Sequence, residues 1–343
     1  MAFAMDEHSK PEPRDGAGAR RLAIETPYLN RMQRRHFLLF NVIPFLGTVG
    51  AAVLASYRPV TTVDLGLFFF FWLVTGLGIS AGYHRLFTHR AYKASKGVRV
   101  ALAICGSMAG LGPVISWAAM HRRHHQFADK TGDMHSPNLH GTTFRGRVRG
   151  FLHAHVTWMV KHEYPNIAHY APDLIEDRSI VMVSRGYQTW VVLGIAVPAV
   201  MGGLLSWSWW GVLSGALWGG LVRMFVVAQS ISALNSVSHT IGSRPYRTRD
   251  NSRNSYVLGL LIWGEGWHHN HHAFPSSASF GLAWYRIDLS YWLVLALRGL
   301  GLAWDVKVPS REQIVSRDER DRDAFEAIST QPFSGSKVSK EFP

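Results

Sequence analysis

Cysteine is almost missing from this chain: Cys105 is the only one in 343 residues. A disulfide framework, a cysteine-type zinc site and a cysteine-held iron–sulfur cluster are thereby excluded. Charge is sparse too, at 17% of residues against 47% hydrophobic, which is apolar for a water-soluble domain. The lead before the first apolar run is polar and of mixed charge, without the basic-then-apolar form of a signal peptide. There is no internal repeat. Lys and Arg number 36 against 23 Asp and Glu, a net charge of +13, yet no nucleic-acid-binding pattern accompanies the excess. Beside long apolar runs, such an excess reads as positive-inside loops of a membrane protein.

What the chain does have is apolar length and histidine. Four runs, at about 36–56, 64–83, 190–207 and 209–234, approach the roughly 20 residues needed to cross hydrocarbon. Short breaks join them in pairs, so the expected fold is all-α and integral to a membrane, with four transmembrane helices in two hairpins. Pro44 lies inside the first run, which kinks a membrane helix without forbidding it. Val98–Met120 is apolar but carries Gly110, Gly112 and Pro113, and reads as one interfacial or re-entrant helix. Tyr256–Trp263 and Leu289–Trp304 are expected along the interface. Composition assigns residues 1–30 and 310–343 to disordered tails and 31–309 to one membrane domain. Four spans put both termini on one face. The hairpin turns hold only Arg58, so the Lys- and Arg-rich face is expected to be cytosolic, with the bacterial inner membrane as the expected location.

The histidines gather in three places, all on that face: His84 and His89; His121, His124 and His125; and His268, His271 and His272. The second and third sets are spaced i, i+3, i+4 and lie on one side of a helix. A spacing of five does not put His84 and His89 on one face of a straight helix, so the helix should end or distort between them. Neutral imidazole is a common metal donor, and nitrogen-rich sites suit Fe, Cu, Zn or Ni. The three sets predict one polynuclear metal site in a helical cap at the cytosolic ends of the spans.

His-Arg-Leu-Phe-Thr-His (84–89), His-Arg-Arg-His-His (121–125) and His-His-Asn-His-His (268–272) resemble the histidine boxes of the membrane fatty acid desaturases. Asn235-Ser-Val-Ser-His239-Thr-Ile-Gly242 and Gly264-Glu-Gly-Trp narrow the likeness to the Δ9, stearoyl-CoA-like type, over about residues 36–305. The resemblance implies two non-haem iron ions on nine ligands: His84, His89, His121, His124, His125, His239, His268, His271 and His272. Asn235 would reach metal through water. It further implies O₂-dependent introduction of a cis Δ9 double bond into saturated C16–C18 acyl chains. A redox metal fits that chemistry, since Zn²⁺ has none.

Each ligating imidazole should pass its other N–H to an acceptor. The candidates are Asp129, Asp133, Asp288 and above all Glu265, close in sequence to its own box. The resemblance places Trp117 beside the acyl chain, and Trp72 with Gly76 at the closed end of its tunnel. Ala119 and Met120 replace residues that hold coenzyme A in animal relatives. Arg145, Arg147, Arg149 and Lys161 remain as weaker headgroup candidates, so the carrier is acyl-CoA or acyl-lipid. His155 and His269 are set aside as ligands, although His269 leaves a second register conceivable in its box. No cytochrome-like domain is visible, so electrons are expected from a separate ferredoxin, rubredoxin or cytochrome b5. The rivals are a membrane di-iron hydroxylase of alkyl, sterol or carotenoid substrates, and a metal-binding membrane protein that is not an enzyme. The latter is disfavoured because the spans hold no clustered histidine near their middle.

Overall fold

A lone segment in hydrocarbon satisfies its backbone only as a helix, and the four long apolar runs do become helices. A computed structural model describes residues 22–318. Within it Pro27–Ala55, Thr62–Thr88, Tyr187–Ser206 and Trp209–Ser236 are long and apolar enough to cross a membrane. They form two hairpins, turning at residues 56–61 and at Trp207–Ser208. Val49, Val53, Phe69, Phe70, Val200 and Leu204 are exposed along them, an arrangement suited to lipid and not to water. Third and fourth spans touch where side chains are missing: a Cβ on Gly211 would lie 2.4 Å from the Gly202 carbonyl oxygen.

The first span begins well before residue 36. Thr26 accepts the Leu29 N–H as N-cap, and Pro27 fills the first helical turn, where a missing N–H costs nothing. Residues 22–30, assigned to a tail by composition, are thus ordered, and Ala23–Ile24 pairs antiparallel with Tyr164–Pro165. At the other end Ser310 caps a short helix, Arg311–Val315, and Arg317 donates to the Ala273 carbonyl. The rest of both expected tails, residues 1–21 and 319–343, lies outside the described residues.

The expected single helix 98–120 is two. Lys96–Ser107 and Val114–Phe127 form a hairpin whose turn includes Gly110 and Gly112, both at positive φ. That turn dips to the middle of the fourth span, where Arg223 is fully buried. The guanidinium donates to the carbonyls of Met108 (2.7 Å), Gly194 (2.6 Å) and Gly219 (3.1 Å). Pro198 has no N–H to offer Gly194 one turn back, so the arginine supplies it. Met108 follows the last turn of its helix, where carbonyls lack helical partners.

Candidate metal centre

The spacing of His84 and His89 is resolved by a change of helix type. Gly78–Thr88 is π-helical, and the His89 N–H bonds the His84 carbonyl at 3.1 Å. Bonds of the i→i+5 kind place residues five apart one turn apart, so both imidazoles face the same way. Arg122 locks this end by donating to the carbonyls of Phe87 (2.7 Å) and Thr88 (2.9 Å) and to both oxygens of Asp173. It can do so because His121, His124 and His125 occupy one face of the Val114–Phe127 helix and Arg122 points elsewhere. Arg123, also turned away, pairs with Glu163.

The third set rides on a short helix, His268–Ala273, preceded by a tightly constrained turn. Gly264 sits at φ +97°, and a Cβ there would lie 2.3 Å from Oδ1 of Asp288. His239 follows the fourth span, one turn after Asn235. These elements bring all nine histidines together in two groups. His84, His89, His121, His125 and His271 form the first; His124, His239, His268 and His272 form the second. Within each, one ring nitrogen per residue lies within 4.8 Å of all the others.

The proton positions follow from four carboxylates. Nδ1 of His84 faces Glu265 at 2.6 Å, that of His124 faces Asp133 at 3.1 Å, that of His239 faces Asp129 at 2.9 Å, and that of His272 faces Asp250 at 3.2 Å. A neutral imidazole donating from Nδ1 presents a bare lone pair at Nε2. Yet Nε2 of His84 lies 3.0 Å from Nε2 of His271, and Nε2 of both His239 and His272 lies 3.1 Å from that of His268. A single proton on Nε2 of His268 can bond only one of its two bare neighbours, so a buried lone pair is left without a partner there unless a cation stands among them. Nε2 of His89 is also buried with no partner among the described residues. The donor set therefore fits two metal ions, and its all-nitrogen chemistry fits iron.

Electrostatics keep these donors ready. Burial pushes His89, His121, His125, His268 and His271 well below the ordinary imidazole value, and their neighbours' charges push the same way. Burial also lowers His272 to about 4, against the opposing pull of Asp250. For Asp129, Asp133 and Asp250 burial alone would raise the carboxyl, but the facing histidines and nearby donors hold each one well below its usual range. Glu265 is likewise lowered: burial opposes ionisation, while His84 and Arg85 favour it.

Of the expected acceptors, Asp129, Asp133 and Glu265 each face a histidine. Glu265 serves His84 across 181 residues, and not the box beside it. Asp288 touches no clustered histidine; it pairs with the fully buried Arg85 at 2.9 Å. Asp250 was missed, since it lies in an arginine-rich loop with no local pattern to mark it. His135, outside the three histidine sets, joins His124 and Asp133 in a third group. His155 bonds Gln229 and Ser236, and His269 bonds Ser252 and Tyr246, so neither enters a cluster.

A cavity of about 610 Å³ reaches this centre, lined near it by Trp117, His121, His135 and Asn235. The Trp117 ring stacks on His121 at 5.1 Å. Trp72 and Gly76 do not line it, contrary to expectation. Both pack against the buried Trp263, whose Cε2 would sit 1.9 Å from a Cβ on Gly76. The space that glycine leaves is already filled by indole. Arg145, Arg147, Arg149 and Lys161 are also absent from the lining, and Lys161 pairs with Glu25 at 2.9 Å. The basic residues that do line it are Arg35, Arg185 and histidines.

The chain is similar in sequence to known proteins. The family model described as fatty acid desaturase matches residues 62–304. A hex-5-enoyl-[acyl-carrier protein] acetylenase of Moorena producens (strain JHB) is 45% identical over 319 residues, covering 92% of this chain and 99% of that one. An sn-1 stearoyl-lipid 9-desaturase of Anabaena variabilis is 33% identical over 278 residues, covering 80% and 95%. The Delta-9 acyl-lipid desaturase 1 of Arabidopsis thaliana is 36% identical over 242 residues, covering 71% and 74%.

Proposed function

The chain belongs to the fatty acid desaturase family, and from that premise we propose that it is a di-iron, O₂-dependent desaturase whose ligands are the nine clustered histidines, with Asn235 contributing through water. The observation that carries this reading is the convergence of bare imidazole nitrogens at the end of a cavity of acyl-chain size. Irons held there supply the oxidant, derived from O₂, that removes hydrogen from unactivated carbon. The chain's own residues do the rest. Glu265, Asp133, Asp129 and Asp250 fix the tautomers of four ligands and so aim their lone pairs. Trp117, stacked on His121, presents an apolar wall where the substrate passes, and the buried surroundings exclude water.

The overall reaction converts R–CH₂–CH₂–R′, O₂, two electrons and two protons into R–CH=CH–R′ and two waters. The electrons come from a separate donor protein. For the bond formed, the reading is cis Δ9 in saturated C16–C18 chains carried on coenzyme A or lipid, supported by the names of the stearoyl-lipid and acyl-lipid relatives. A second reading is favoured by the 45% relative: dehydrogenation of a short chain on acyl-carrier protein, whose terminal alkene becomes an alkyne. The working unit is the expected membrane domain of residues 31–309 widened to take in the start of the first helix at Pro27 and the short helix Arg311–Val315, in a bacterial inner membrane with the histidine end cytosolic.

Expression in cells unable to make unsaturated fatty acids, followed by profiling of lipids and of carrier-protein-bound acids, decides between them. Palmitoleate and oleate in the lipids establish the Δ9 reading. A terminal alkyne on the carrier protein after feeding hex-5-enoate establishes the second. Neither product, with iron bound and a donor supplied, refutes both.

A further inference from the structure

Each double bond formed this way draws two electrons from outside, and they must enter where few atoms separate the surface from the metal ligands. Of the four carboxylates that orient histidines, three are sealed: Asp133 is 0% exposed, Glu265 1% and Asp129 3%. Asp250, bonded to His272, is 11% exposed. It belongs to residues 241–254, a stretch with four arginines (Arg244, Arg247, Arg249 and Arg253) and Asp250 as its single acid. Arg247 and Arg249 are exposed, as is Lys130 beside Asp129. The Asn251 N–H bonds Asp129 at 2.7 Å and so brings these cations over one edge of the second cluster.

The loop is also pre-shaped. Arg253 N–H donates to the Ser238 carbonyl at 2.6 Å, Ser243 pairs with Asn254, and Arg244 donates to the Asp250 carbonyl at 2.6 Å. From below, Nε2 of His269 reaches the Tyr246 carbonyl at 2.8 Å, and its Nδ1 meets Ser252 at 3.1 Å. The extra histidine of the third box thus holds this loop. No residue of 241–254 lines the substrate cavity, so a partner on the loop leaves that cavity free.

We infer that residues 241–254, with Lys130, form the docking surface for a small acidic iron–sulfur electron donor, and that Asp250–His272 is the point of entry beneath it. The inference rests on the desaturase reading and deepens it. Opposite charges across such an interface act mainly on encounter and register, and are screened by salt. Between turnovers the donor gives up one electron per docking, two per double bond, and leaves oxidised.

The test uses the full chain, loaded with iron in lipid nanodiscs, and a plant-type [2Fe–2S] ferredoxin as probe. Its Kd is read by thermophoresis at low and high salt. Arg247→Glu with Arg249→Glu should weaken binding about tenfold at low salt and flatten the salt dependence, with iron content unchanged. Because Arg247 also donates to the Ser316 carbonyl, Arg249→Glu with Lys130→Glu serves as a second variant that leaves that contact alone. Arg145→Glu with Arg149→Glu, the same change of charge on another exposed helix, should leave Kd as in wild type. Unchanged binding in both loop variants, or equal loss in the control, overturns the proposal. Wild-type protein that binds the donor yet oxidises no acyl chain would instead refute the functional reading and leave the docking surface standing.

Discussion

Replacing Glu265 by glutamine tests the centre with no change of volume. Glu265 accepts from His84 Nδ1 at 2.6 Å through one oxygen and from Ser80 through the other. The Ser80 hydroxyl has no freedom to turn, because it already accepts from Arg85 and from Ser290, both at 2.6 Å. The new amide nitrogen must therefore face either the Ser80 hydroxyl or His84. Facing His84, it forces Nδ1 to become the acceptor, moves the proton to Nε2 and removes His84 from the donor set. Facing Ser80, it sets two donors against each other in a dry pocket. Arg85 keeps Asp288 at 2.9 Å, so the fold should survive. Loss of such an orienting acceptor typically costs 10–100-fold in metal affinity, or about 1.4–2.7 kcal/mol. The assay is competitive iron release to a chromophoric chelator from detergent-solubilised protein, with thermal unfolding of the metal-free form alongside. Glu265→Gln should release iron at a correspondingly lower chelator concentration while the metal-free melting temperature stays near wild type. Retention of both irons with an unchanged chelator midpoint would refute the tautomer argument.

Gly76→Ala should destabilise by about 1–3 kcal/mol through overpacking against Trp263, measured by thermal unfolding, and leave product chain length alone; a shift in chain length without loss of stability would return Gly76 to the substrate tunnel. Arg223→Met orphans the Met108 and Gly194 carbonyls, each worth about 1–3 kcal/mol when buried unpaired, and should lower the melting temperature more than Arg223→Lys, which keeps a donor; equal melting of both variants contradicts the staple. In metal-free protein, His135 is lowered to about 3 by burial and His124, and His272 to about 4 chiefly by burial. Unfolded chain takes up those protons near pH 6.5 and the fold refuses them, so stability should fall as pH drops from about 6.5 towards 4, by up to about 3 kcal/mol per group. A melting temperature that is flat between pH 7 and 5 would show that the folded imidazoles titrate normally.

The spans were readable because their signal is additive: twenty apolar residues in a row outweigh any local exception. Where one residue decides, composition misled. Residues 1–30 taken together are rich in charge, Gly and Pro, yet Thr26 and Pro27 start the first helix inside that stretch. In 98–120 the apolar average hid a break that two glycines at positive φ make possible. Neither the burial of Arg223 nor its three carbonyls is visible from the apolar run around it. That arginine answers a defect, Pro198, in a different span, and pairing of that kind depends on which helices become neighbours.

The same division runs through the metal centre. Histidines at i, i+3, i+4 carry their geometry in their spacing, and those two sets needed no tertiary information. His84 and His89 carried a contradiction instead: two donors of one type at a spacing no α-helix can use. That mismatch was itself the clue, since a helix that must present both has to widen, and Gly78–Thr88 does so by the i→i+5 pattern. The orienting carboxylates obey no such rule. Glu265 reaches His84 across 181 residues and Asp129 reaches His239 across 110, whereas Asp133 is nine residues from His124. Nearness along the chain therefore finds one of these three and misassigns Glu265 to its own box. What selects the acceptors is the need of each buried Nδ1–H for an anion at bonding distance, and that need can be stated from sequence but met only by the fold.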